Sequence, residues 1–224
     1  MQKFNTTICF LHSCNDRQKA KNIVAPHKGT MKYLCLDFET NGFPTAGAPP
    51  SEWTLPFHSY PIQLSIHSVD GETGEVEHVY TTLIKGATRF APWVVQNVPI
   101  TLGQLGAGKT FQEVLEDMAA LIHPRDVLVA HNAHFDLNTA VARTAGKLGI
   151  HGDALHTILE APRFCTYQCA YSKLVFGKRV KLQKLCEHFQ VTLDNAHDAR
   201  ADSKALAECV SQAIHRGVMM TAGP

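Results

Sequence analysis

Three acidic segments and one histidine sit where they could do chemistry. Asp37-Phe38-Glu39 closes a short apolar run, Tyr33 to Leu36. Residues two apart in an extended chain point to the same side. Both carboxylates therefore face one spot, where two like charges are unfavourable unless a cation neutralises them. Alone, such a pair commonly means no more than a solvated strand end. Asp136 follows a second apolar run, in His131-Asn132-Ala133-His134-Phe135-Asp136, near the start of a helix. An acid in a first helical turn is favourable for its own sake. His197 and Asp202 are five residues apart. On one continuous helix they would point roughly 140° away from each other, so they converge only if His197 lies in the loop before the helix. Asp198, four residues before Asp202, would share its face and is the geometric rival.

The intervening sequence supplies elements that could position these groups. Val127 to Ala130, like Tyr33 to Leu36, is a short, wholly apolar strand, and Ile62 to Val69 alternates as a half-buried strand does. Gly71 and Gly74 mark a turn, with Val76 to Leu83 as the returning strand. Residues 43–61 contain Pro44, Pro49, Pro50, Pro56 and Pro61 and read as a loop. Helical periodicity covers Thr110 to Ile122, about Phe135 to Leu148, 181–189 and about 199–216. A hairpin followed by strand–helix alternation predicts a mixed sheet covered by helices.

Composition narrows the function classes. The 224 residues are 45% hydrophobic and 18% charged, as in a globular domain with a sizeable core. No stretch approaches the ~20 apolar residues of a membrane span. A net charge of +1 excludes a strongly basic nucleic-acid coat. Residues 1–30 stand apart, with five basic residues against the single acid Asp16, and read as a disordered or targeting leader with Met31 as an alternative start. The body from 31 onward carries 16 basic and 19 acidic residues, net −3. The organisation expected is leader 1–30, catalytic domain 31–218 and tail 219–224. Seven cysteines without a repeating spacing predict reduced thiols and an intracellular protein. It would be cytoplasmic or nuclear, or mitochondrial if the leader is a transit peptide. Cys165, Cys169, Cys186 and His188 lack the usual Cys-x-x-Cys spacing of a zinc site.

Taken in order, Asp37-x-Glu39, His131-Asn132-Ala133-x-Phe135-Asp136 and His197-x4-Asp202 resemble the DEDDh family of 3′-to-5′ exonucleases, over about residues 31 to 216. Leu36-Asp37-Phe38-Glu39-Thr40-Asn41-Gly42 looks like the family's Asp-x-Glu-Thr-x-Gly segment. Thr166 after Phe164-Cys165, and Leu182 with Leu185-Cys186, also fall where such proteins carry similar residues. The resemblance implies an α/β, RNase H-like fold: a five-stranded mixed sheet flanked by helices. It implies that Asp37, Glu39, Asp136 and Asp202 hold two divalent ions, and four carboxylates suit hard Mg²⁺ or Mn²⁺. His197 would be the general base, since imidazole titrates near neutral pH. The reaction would release 5′-mononucleotides from single-stranded DNA or RNA 3′ ends, and a homodimer is compatible with the family. Thr40, Gly42, Leu64 and Phe135 are the candidate contacts to the terminal nucleotide. The 43–61 loop is longer than the family's first turn and adjoins Glu39.

Other readings stay open at this stage. Lys173, Lys178, Arg179, Lys181 and Lys184 form a basic run without an acid, a candidate phosphate-contacting edge or a solvated surface. Gly103 to Thr110 matches the phosphate-binding loop of nucleotide triphosphatases literally. Such a loop follows a buried strand, whereas Asn97 and Pro99 interrupt the segment before this one. A third reading is an inactive nucleic-acid-binding protein on the same fold.

Overall fold

The computed structural model describes residues 30–43 and 59–218. The expected leader up to 29, most of the proline-rich loop (44–58) and the tail from 219 lie outside the described residues.

Five strands form one sheet: β1 (Lys32–Thr40), β2 (Pro61–Asp70), β3 (Val76–Leu83), β4 (Val127–Ala130) and β5 (Arg163–Cys165), in the order β3-β2-β1-β4-β5. β1, β2 and β3 pair antiparallel, whereas β4 runs parallel to both β1 and β5. This is the RNase H-like mixed sheet that the resemblance implied.

The apolar strands are buried because both sheet faces are covered. Leu34, Leu36, Phe38, Leu128 and Ala130 enter one core cluster, whereas Cys35, Val127 and Val129 enter the other. The first face packs against α3 (Phe111–Leu121), α5 (Asp153–Glu160) and a π-helix (His134–Arg143) that continues as α4 (Thr144–Leu148). The second is covered by α8 (Ala199–His215) through Leu206, Ala207 and Val210. α7 (Leu182–Phe189) packs on α8 through Leu185, Cys186 and Phe189. The remaining helices are short: α1 (Pro92–Asn97), α2 (Leu102–Leu105) and α6 (Ala170–Phe176). Strand alternation assigns Asp37 and Glu39 to the side of Cys35, which is the side of α8.

The triphosphatase reading fails here. The Gly103–Thr110 segment begins inside α2 rather than after a buried strand, and Ile84 bridges to Lys109 along the sheet edge. Lys109 pairs with Asp117 and lies 5.8 Å over the Tyr80 ring, so its ammonium is already engaged. Thr110 caps α3 in a reciprocal capping box with Glu113. Two glycines of this segment test the packing. A Cβ at Gly108 would lie 2.5 Å from the Leu83 carbonyl oxygen, whereas one at Gly103 would meet nothing within 4 Å. Gly108→Ala is expected to cost ~1–3 kcal/mol, a fall of several degrees in Tm. Gly103→Ala is expected to stay within ~0.5 kcal/mol of the parent. Thermal unfolding followed by circular dichroism checks both.

Candidate active site

The site forms where β1 ends. Glu39 pairs across the sheet with Gln63, and a register shift between Glu39 and Thr40 ends the regular pairing. The chain leaves through a buried turn. Asn41 accepts a hydrogen bond from the Tyr60 amide (2.9 Å) and donates to the Arg89 carbonyl (3.2 Å). Gly42 has φ of +120°, and a Cβ there would come within 2.4 Å of Ala91 Cβ. This close approach seats the start of α1 against the end of β1.

Asp136 arrives from the other side. It lies in the first turn of the π-helix, is 2% exposed, and accepts a hydrogen bond from the Phe38 amide (3.1 Å). That bond ties it to the residue between Asp37 and Glu39. The helix is entered through Asn132 at φ of +106°, an unusual conformation for a residue with a side chain. The expected α-helix from about Phe135 is thus wound as a π-helix over its first ten residues. Such turns are rare and concentrate at functional sites.

The third segment resolves the rivalry between His197 and Asp198. Asp198 is the N-cap of α8, accepting from the Arg200 amide (3.0 Å) and from the Gln63 side chain (3.0 Å). Gln63 also accepts from the Ala199 amide (3.0 Å), so one side chain fastens the start of α8 to β2. His197 therefore precedes the helix, at φ of +71°, and its amide donates to Asp202 Oδ2 (3.1 Å). Ligand-capable atoms of Glu39, His197 and Asp202 all lie within 4.8 Å of one another. The His197 ring packs against the edge of Trp93, centroids 4.8 Å apart at 81°.

Crowding shows in the electrostatics. Burial, then Asp136, Glu39, Asp202 and Asp198, push Asp37 well above the usual carboxylate range. Glu39 rises to about 8, through burial and then Asp202, Asp136 and Asp198. Burial lifts Asp136 to about 7, against the opposing amide hydrogen bond from Phe38. Asp202 is also raised by burial, opposed by His197. Among the described residues, Asp202 Oδ1 is buried without a hydrogen-bond partner, a costly state for a carboxylate oxygen. An all-oxygen set of four acids with one orphaned oxygen fits a hard divalent cation.

The structure places the candidate nucleotide contacts differently from one another. Thr40 and Gly42 lie at the strand end but are buried. Leu64 is 0% exposed within the core, so its expected contact with a terminal nucleotide is corrected. Phe135 is half-buried against Phe43, centroids 5.1 Å apart, and Phe43 is 58% exposed. Phe43, Gln63 and Trp93 escaped the sequence reading, because only tertiary folding brings them to the carboxylates. Among the described residues, Cys165, Cys169, Cys186 and His188 form no metal-holding group.

Comparison with known proteins places this geometry. An exonuclease family model of the RNase T type matches residues 34–210. The chain belongs to this DEDDh exonuclease family, whose members depend on divalent metal. It is 26% identical over 177 residues to a PolC-type DNA polymerase III of Clostridium perfringens; the match covers 79% of this chain but only 11% of that polymerase. The nuclease domain of 3′hExo, a DEDDh member solved bound to rAMP, superposes with a TM-score of 0.67 at 14% identity, covering 89% of this chain and 99% of that one. The cell-death related nuclease CRN-4 gives 0.63 at 18% identity, covering 84% and 65%. E. coli exonuclease I in complex with a dT13 oligonucleotide gives 0.59 at 18% identity, covering 82% and 41%.

The raised carboxyls predict a pH signature. A carboxyl whose folded pKa exceeds its unfolded value of about 4 holds its proton more tightly in the fold. Its stabilising contribution is therefore lost as pH rises through the folded values, about 7 for Asp136 and about 8 for Glu39. Metal-free protein is expected to lose Tm between pH 6 and pH 9. Added Mg²⁺ or Mn²⁺ should restore more at pH 9 than at pH 6, and Glu39→Gln should flatten the profile. Equal metal effects at both pH values would count against the cluster as the binding site.

Proposed function

We propose that this protein is a metal-dependent 3′-to-5′ exonuclease that releases 5′-mononucleotides from single-stranded DNA or RNA ends. The observation that carries the reading is the crowding of Glu39, Asp202 and His197 within 4.8 Å beside the buried Asp136, with Asp202 Oδ1 left unpaired. Asp37, Glu39, Asp136 and Asp202 would hold two divalent ions of the Mg²⁺ or Mn²⁺ kind. Such ions supply Lewis-acid activation of water and neutralise charge on the attacking and leaving oxygens.

This chain's own residues account for the rest. His197 is exposed beside the acids and accepts the proton of the attacking water. The new bond joins that water's oxygen to phosphorus. The bond to the 3′ oxygen of the penultimate nucleotide breaks, and that oxygen takes a proton from solvent. Trp93 braces the imidazole by an edge-on ring contact. The exposed Phe43 beside Phe135 offers an aromatic surface on which a terminal base can stack irrespective of its identity. A likeness to proteins solved with rAMP and with dT13 supports nucleic acid as the substrate class while leaving both sugars in play. The reading extends to an intracellular protein, acting as a monomer or as a homodimer.

The full chain and its His197→Ala and Asp202→Asn variants would be given 5′-labelled single-stranded DNA and RNA of one sequence, with Mg²⁺, with Mn²⁺ and with chelator. Metal-dependent shortening in single-nucleotide steps is expected. His197→Ala should slow it by at least ~100-fold, the scale of a lost general base. Shortening that persists in chelator, or equally in both variants, would sink the mechanism. Folded protein that binds strands but never shortens them would favour the inactive binding role.

A further inference from the structure

We infer that the exposed basic loop between α6 and α7 is a track for the phosphates of the strand being trimmed, upstream of the scissile bond; this rests on the exonuclease reading. No acidic residue occurs between Glu160 and Glu187, in a body of net charge −3. Within that stretch Lys173, Lys178, Arg179, Lys181 and Lys184 are all exposed. Lys184 pairs with Glu187 at 2.7 Å, whereas the other four form no ion pair among the described residues. A concentration of cations that serves no internal ion pair suits an external polyanion.

What separates this loop from an ordinary solvated surface is how it is held and where. Val180 is buried, and its carbonyl accepts from His131 Nε2 at 2.9 Å, while the residues on either side of it stay exposed. His131 Nδ1 is engaged by Thr166 Oγ1 at 2.9 Å. The Tyr167 ring stands edge-on to His131 at 5.6 Å, and the Arg179 guanidinium lies 5.7 Å over Tyr167. One histidine thus clamps the basic loop to the ends of β4 and β5.

Strand register then fixes the distance to the acids. Cys35 is level with Val129 in the parallel pair, so two residues further on His131 is level with Asp37. Ala130 is level with Cys165, which sets Thr166 beside His131. Asp37, His131 and Thr166 therefore lie at or just past the ends of pairing of three neighbouring strands, which together span ~10 Å at the usual strand spacing. A stacked strand rises ~3.4 Å per nucleotide. The loop is held by His131, in the middle of these three positions, and therefore lies within about three nucleotides of the carboxylates. Lys178, Arg179 and Lys181 are placed to contact phosphates that remain on the strand after the terminal nucleotide leaves.

The test compares a 20-mer single strand with a dinucleotide of the same sugar, which has no phosphate beyond the scissile one. In Lys178→Gln/Arg179→Gln/Lys181→Gln, the ratio of kcat/KM for the 20-mer to that for the dinucleotide should fall at least ~10-fold, for three lost phosphate contacts. Equilibrium binding of a labelled 20-mer in chelator needs no catalysis. There, the slope of log K against log salt should become shallower by ~2, at ~0.7 per contact on a single strand. Lys178→Gln/Lys181→Gln leaves Arg179 on Tyr167 and should move the slope by ~1.4, which keeps the test open if the triple variant folds poorly. An unchanged slope and ratio would overturn the track. So would an equal loss on both substrates, since the loop would then act through the carboxylate site. A wild type that binds the 20-mer with the steep slope yet hydrolyses neither substrate would instead refute the exonuclease reading.

Discussion

The constraint on which this structure turns is the mutual repulsion of four carboxylates gathered at one end of a sheet. Burial pushes each toward its neutral form, and neighbouring carboxylates push Asp37, Glu39 and Asp202 further the same way. A chain free to relax would spread them apart or turn them to solvent. Here relaxation is blocked, and the resulting deficit of positive charge is what a divalent cation answers. The unpaired Asp202 Oδ1 is the local expression of the same deficit.

Relaxation is blocked by contacts that hold the backbone and, at Asp136 and Asp202, by amides that hold the carboxylates. The central strand β1 is paired with β4 as far as Cys35 and with β2 past Glu39, which fixes the extended backbone that carries Asp37 and Glu39. Phe38, between them, uses its amide to hold Asp136. Gln63, level with Glu39, uses both ends of its amide to fix the cap and first residue of α8. Two of these ties are main-chain donors or acceptors, insensitive to which side chain is present. They hold the acids close together and leave Asp202 Oδ1 unpaired among the described residues.

The sequence revealed the acids more readily than their supports. Asp37 and Glu39 could be paired in advance because period-two alternation is local, and the hairpin 62–83 was legible for the same reason. β4 was legible as an apolar run bounded by polar residues. The positions of α1, α2, α5, α6 and β5 were not. These elements are short, between three and eight residues, and take their stability from packing rather than from their own periodicity. Gln63 looked like any polar residue of an alternating strand, and Trp93 like an isolated aromatic. Their partners lie more than 100 residues away in the chain. Leu64 failed as a nucleotide contact for the converse reason. Alternation says which residues share a face, and only the assembled layers say whether that face is open.

The site is also unequal in its rigidity, and the inequality suits its chemistry. The carboxylates stand on a paired strand and on helices, where ion geometry demands fixed oxygens. His197 stands on a single exposed residue in the left-handed region, a conformation that costs on the order of 1 kcal/mol. Its amide is tied to Asp202, and its ring packs edge-on with Trp93, itself 51% exposed. In the role proposed for it, His197 would have to reach the water, give up its proton to solvent and be ready again, which requires access that a buried imidazole lacks. Holding the backbone of His197 while leaving its ring at the surface meets both needs. The capping role of Asp198 is what makes this arrangement available. By starting α8 one residue after itself, it keeps His197 out of the helix and turns Asp202 inward in the first turn.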